Sequence, residues 1–173
     1  MKSYITKSIT LRYDQPLDRI QWLCTSSDNE LVIIWLTRRM LIKLAPKLSQ
    51  WLEKPLPTDE KLRTPMEREA ISRFRHEAAV KKSIRRKVTI DVNNMTDFML
   101  HAISFRTVSA NQHVFTITDS NKTKQIKFVA SYNDIHRILG ELISLAKSAE
   151  WGVDLPWSKM AANLPQNSVK SMH

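Results

Sequence analysis

The chain repeats one pattern: several short strand-like runs, then an amphipathic helix. The first copy passes through Ile5–Thr10, Ile20–Thr25 and Glu30–Leu36 into a helix predicted from about Arg38 to Glu53. The second passes through Val88–Val92, Leu100–Thr107, His113–Thr118 and Gln125–Ala130 into a helix from about Tyr132 to Glu150. Strands grouped before a helix, rather than alternating singly with helices, point to an α+β arrangement. Each group of strands then needs one face covered, and each helix needs a place to bury its apolar side.

The expected elements follow from local spacing. Val88, Ile90 and Val92 alternate with Thr89 and Asp91, the period of a strand with one buried face. Leu31–Leu36 is apolar on both faces and is the expected central strand. The chain has 2 glycines, Gly140 and Gly152, so Asn and Asp must make the turns. Asp14-Gln15-Pro16, Ser26–Asn29, Ser109–Asn111 and Asp119–Asn121 suit hairpin connections, because Asn and Asp tolerate left-handed backbone. In the first helix Met40, Leu41, Leu44, Leu48, Trp51 and Leu52 share one arc, and Pro46 predicts a kink or a restart. In the second, Ile135, Ile138, Leu139, Leu142, Leu145, Ala146 and Ala149 share the apolar side, and Ser131 with Asp134 resembles a capping box. Lys54–Thr58 reads as a linker, and Thr64-Pro65 as the start of a third helix running to about Ser83. Trp151, Pro156 and Trp157 are expected to clip the preceding helix onto the sheet, with a mobile tail from 158 to 173.

A chain of 173 residues with 42% hydrophobic and 25% charged side chains can bury a real core. Its longest unbroken apolar run, Leu31–Leu36, falls far short of the ~20 residues of a membrane helix. The start, Met1–Lys7, has no apolar stretch of the secretory kind. Cys24 is the 1 cysteine, which excludes an internal disulfide and a cysteine metal cluster. A cytoplasmic protein without membrane contact is the expectation.

Enzyme signatures are missing. Two glycines twelve positions apart build neither a phosphate-cradling loop nor a dinucleotide fingerprint. The 5 histidines, at 76, 101, 113, 136 and 173, show no metal-ligand spacing. His101 and His113 could meet across a hairpin, an arrangement more often structural than catalytic without a nearby acid. Cys24, near Trp22 in a strand, reads as a small buried apolar residue. No catalytic residue, metal or cofactor is expected.

Positive charge is what remains. Residues 1–57 hold 9 Lys/Arg against 5 Asp/Glu, residues 58–87 hold 10 against 5, and residues 88–173 hold 8 against 7. Two clusters carry the excess. In the first helix Arg39, Lys43 and Lys47, with Lys54, form one narrow stripe at helical spacing, and Arg38 joins Arg39 in the first turn. Like charges four apart repel by roughly 0.2–0.5 kcal/mol per pair. Cations in a first turn also oppose the helix dipole. Local rules broken twice suggest a surface kept for an external anion. The competing reading is that Asp18, Asp28 or Glu30 neutralises the arginines across the adjacent hairpin. The second cluster is Lys81, Lys82, Arg85, Arg86 and Lys87. Its competing reading is a solvated helix C-terminus, where cations are favoured. Aromatics on predicted strands, among them Tyr4, Trp22, Phe105, Phe115 and Phe128, could stack bases if exposed, but more often such residues are core.

The expected fold is therefore α+β: about seven antiparallel strands in two strand-strand-strand-helix halves, 1–54 and 88–157, with a basic helix between them in 55–87. In element order, over about 4–53 and 88–150, it resembles the strand-rich, helix-ended repeats of the whirly and PUR single-strand-binding folds. The resemblance is topological and rests on no sequence motif. The expected function is non-catalytic nucleic-acid binding, DNA or RNA, directed at phosphates through Arg38, Arg39, Lys43, Lys47 and the Lys81–Lys87 cluster. The alternative is an assembly or adaptor protein whose basic and apolar surfaces meet an acidic protein. A homo-oligomer is also expected, since a long two-faced apolar strand often signals one.

Overall fold

The structure is a computed structural model and describes residues 1–52, 64, 95–109 and 111–153. Its elements in chain order are β1 (Lys2–Asp14), β2 (Arg19–Ser26), β3 (Leu31–Thr37), α1 (Arg38–Leu52), β4 (Met95–Met99), β5 (Ala102–Ser109), β6 (Gln112–Thr118), β7 (Lys124–Ala130) and α2 (Tyr132–Ser148). The strands form one sheet in the order β4-β3-β2-β1-β7-β6-β5.

This corrects the expected fold in three ways. The sheet is mixed: β1 runs parallel to β7 and β3 parallel to β4, the other neighbours being antiparallel. The halves also differ. Three strands precede α1 but four precede α2, and β4 pairs at the far end of the sheet with β3. β4, Met95–Met99, is a strand the sequence did not lead one to expect, and the run expected over Leu100–Thr107 is β5, which starts at Ala102 and reaches Ser109. The physical reason is the connection. Parallel neighbours need a crossover of a dozen residues or more, and the stretch from Thr37 to Met95, with α1 in it, supplies one. The expected linker, the third helix with its basic cluster, the strand at Val88–Val92 and the tail after 153 fall outside the described residues, apart from Thr64.

β3 is internal but not central. Leu31 to Ile34 and Leu36 are all buried, as expected for a strand between β2 and a parallel neighbour. The centre of the sheet is β1, 13 residues long. Its first part pairs with β7 and its second with β2, the register shifting between Thr6 and Ser8. A strand this long and locally irregular can serve two neighbours at different points along its length.

The core lies on one face of the sheet. Cross-strand rows such as Trp22–Ile34–Phe98 and Ile117–Ile126–Tyr4 point the same way and meet Leu41, Leu44 and Leu48 of α1 and Ile135, Leu139 and Leu142 of α2. Phe115 and Phe128 stack with centroids 4.9 Å apart, and Trp22 leans on Phe128. The aromatics considered for base stacking are thus on the helix-covered side: Tyr4, Trp22, Phe115 and Phe128 are buried, while Tyr13 and Phe105 are partly buried against them.

Both helices form where spacing places them. α1 runs unbroken through Pro46, correcting the expected restart. Proline there removes the donor that the carbonyl of Ile42 would use, and Ile42 is on the exposed side, where water can satisfy it. α2 begins on the expected capping box: Ser131 Oγ accepts from Asp134 N at 3.2 Å, and Asp134 Oδ2 accepts from Ser131 N at 3.0 Å. It ends with Trp151 N donating to Ala146 O and Glu150 N to Lys147 O, with Glu150 at φ 56°. No described helix is long and apolar enough to cross a membrane.

Candidate functional site

The sheet register builds the site. The β2–β3 hairpin is closed by Ser26 N donating to Glu30 O, so Arg19 stands opposite Thr37, the last residue of β3. The chain turns directly from Thr37 into α1, and Thr37 Oγ1 caps it by accepting from Met40 N at 3.3 Å. Burial of Leu41, Leu44, Ala45 and Leu48 fixes the rotation of the helix. The outer side must then carry Arg38, Arg39, Lys43 and Lys47, all exposed. Arg39, Lys43 and Lys47 follow one another at four-residue steps of about 6 Å. Neither α1 nor its first turn contains an acid.

Of the carboxylates that could neutralise this flank, Glu30 is paired with another cation, while Asp18 feels the charge of Arg38 without forming an ion pair with it. Glu30 pairs with Lys2, Oε2 to Nζ at 3.0 Å. Asp28 lies beside the Ser27 hydroxyl. Asp18 accepts from Trp151 Nε1 at 2.6 Å and from Tyr13 Oη at 2.8 Å. These two hydrogen bonds, with a smaller contribution from the positive charge of Arg38, hold its carboxyl below the usual carboxylate range. Among the described residues no ion pair reaches Arg38, Arg39, Lys43 or Lys47. The second cluster, Lys81, Lys82, Arg85, Arg86 and Lys87, lies outside the described residues.

Two further arginines lie on the face of the sheet opposite the helices, and the helical wheel does not locate either. Arg19, beside Thr37, donates from Nη1 to Met99 Sδ at 3.6 Å. Arg12 is exposed in the row Arg12–Gln21–Trp35–Met99 on the face opposite the helices. Counting residue pairs back from the Ser26–Glu30 closure would have located Arg19. The strands β5, β6 and β7 themselves contain no Asp or Glu and carry Arg106 and Lys127, both exposed. On the uncovered face Trp35 is partly buried, its Nε1 donating to Asp97 Oδ2 at 3.0 Å.

The remaining candidates for chemistry are internal. His101 and His113 do not meet: His113 faces Thr107 and Ala130, while His101 lies beyond the other end of the hairpin. His113 Nδ1 is 3.2 Å from Thr107 Oγ1, its ring stands edge-on to Trp51, and burial pushes its pKa down. Cys24 is fully buried and its thiol is pushed up to about 12 by burial, which disfavours the reactive thiolate. Among the described residues no group of His, Cys, Asp and Glu could hold a metal ion. No family model matches the chain, and neither a curated protein nor a solved structure matches it significantly. The likeness in element order to the whirly and PUR folds therefore carries no argument.

Proposed function

We propose that this is a non-catalytic nucleic-acid-binding protein that grips phosphates through the outer flank of α1. One observation carries the reading: Arg38, Arg39, Lys43 and Lys47 are exposed together, and no carboxylate among the described residues forms an ion pair with any of them. A row of cations at a regular pitch, kept despite its mutual repulsion, is complementary to a polyanion with regularly spaced charges. Contacts of this type are directed at the backbone and carry no sequence information by themselves.

The test is an anisotropy titration of a labelled oligonucleotide across roughly 50–200 mM salt, with single and double strands compared. Log affinity should fall linearly with log salt. Replacing Arg38 and Arg39 together by Ala should weaken binding and flatten the slope by about 1.4 for a single strand or about 1.8 for a duplex. A slope that does not change removes α1 from the binding surface.

A further inference from the structure

The two ends of the sheet are built differently. At one end β4 has 5 residues, and the molecule's own side chains engage it: Lys124 Nζ donates to Asp97 O at 3.0 Å and Tyr4 Oη reaches Thr96 Oγ1 at 3.3 Å. A lysine laid against a strand in this way blocks addition of another strand. At the other end β5 has 8 residues, Ala102–Ser109, and hydrogen-bonds only with β6 among the described residues. It has no proline and no acid, and its one register shift is confined to its end, between Thr107 and Ser109. Ala102, Ser104 and Arg106 to Ser109 are exposed, Val108 at 56%. The apolar side chains along this edge are left half covered. Ile103 and Phe105 are partly buried, and the Phe105 ring stands edge-on to the partly buried Trp51 with centroids 5.4 Å apart.

We infer that β5 pairs antiparallel with β5 of a second copy of this chain, about a twofold axis passing midway between the two Phe105 residues. The strand is compatible with itself in that register. A twofold axis perpendicular to the sheet sets residues of the same face opposite one another, which restricts the centre to a residue. Centred on Phe105, the pairing spans Ala102 to Val108, with Ser104 opposite Arg106 of the second copy and Phe105 opposite Phe105. Centred on Arg106, it would oppose two like charges, which is destabilising. Centred on Ser104, it would be two residues shorter. The asymmetry of the ends also selects the occupant. With β4 blocked and the outer side of β5 unpaired among the described residues, self-pairing closes at two chains, whereas joining unlike ends would generate an open-ended array. The contact would cover the half-exposed Phe105 and Trp51 of both copies, and it does not depend on what α1 binds.

Sedimentation velocity of the full chain over a wide concentration range tests this, with Ser104→Glu and Ser104→Lys as variants. Ser104 is exposed on the face away from the helices, so neither variant disturbs the core. The wild-type chain should reach twice its 20.1 kDa mass as concentration rises. Ser104→Glu sets two symmetry-related carboxylates against Arg106 and should tighten the dimer about two- to thirtyfold, whereas Ser104→Lys should loosen it by a similar factor. A monomer at every concentration, a polymer without end, or a dimer that responds alike to both substitutions would each overturn the inference.

Discussion

Trp151 Nε1 donates to Asp18 Oδ1 at 2.6 Å, joining the end of α2 to the β1–β2 turn across 133 positions of sequence. The same oxygen accepts from Tyr13 Oη, and Tyr13 and Trp151 pack edge-on with centroids 6.0 Å apart. Asp18 is at φ 47°, a conformation that Asp and Asn tolerate better than most residues. One carboxylate thereby fixes the turn and docks the residues that follow α2.

The first prediction concerns acid. The hydrogen bonds from Trp151 and Tyr13, then the charge of Arg38, hold the Asp18 carboxyl below its unfolded value, about 3.9. A depressed folded value means that the unfolded chain takes up the proton first. The stabilisation is therefore complete above about pH 4 and is lost as pH falls through the folded value. Asp18→Asn keeps the backbone conformation and removes the charge. It should lower the melting temperature at pH 7 and shrink the gap from wild type as pH is brought from 5 to 2. Parallel melting curves for the two proteins across that range would refute the role.

His113 gives a second pH dependence in a higher window. Its ring is buried against Trp51, and its Nε2 has no hydrogen-bond partner, so burial depresses its pKa below the ordinary value of about 6.5. The unfolded chain again binds the proton more readily. Stability should decline as pH falls through about 6.5 and level off below the folded value. Substitution by Phe removes the titration while keeping a planar ring, so the variant's melting temperature should change less than that of wild type between pH 7.5 and 5. An unchanged pH profile would show that the ring charges without cost.

Much of this fold was legible in the sequence because short-range rules govern it. Ser131 and Asp134 announce the start of α2, Asn and Asp mark the hairpins, and the apolar arcs of both helices face the core as their spacing requires. Strand pairing was less legible. Nothing in the alternation of Val, Ile and Thr says that β7 lies parallel to β1, or that β4 travels to the far end beside β3. Those outcomes depend on crossover geometry and on the length of β1, which local periodicity does not encode. The cations of α1 could be read from a helical wheel, but the place of Arg19 opposite Thr37 follows only from the β2–β3 register. The fates of Glu30 and Asp18, one paired with Lys2 and one held by Trp151, are tertiary facts with no sequence signal.

Glu150 provides a stabilising test. It occupies the left-handed position that ends α2, where glycine is the usual residue. A side chain there costs energy that glycine avoids, while glycine adds entropy to the unfolded chain, for a net gain of about 0.5–1 kcal/mol from Glu150→Gly. In a chain of this size the melting temperature should rise by about 1–4 °C. A lower value would mean that the carboxylate makes a compensating interaction.

The last prediction separates what α1 contributes to folding from what it contributes to binding. Lys43 lies four residues from Arg39 and four from Lys47, so it takes part in two repulsive pairs on the exposed flank. Lys43→Gln keeps the length and helix preference of the side chain but removes the charge. Relief of two like-charge pairs should stabilise the protein by about 0.4–1 kcal/mol at low salt, and the gain should shrink as salt screens the flank. The same substitution should weaken oligonucleotide binding. A chain that becomes more stable as it binds less tightly is what a surface kept under repulsion for a polyanion requires. Were Lys43→Gln to destabilise the fold instead, the lysine would be serving the helix itself, and its exposure would no longer argue for an external ligand.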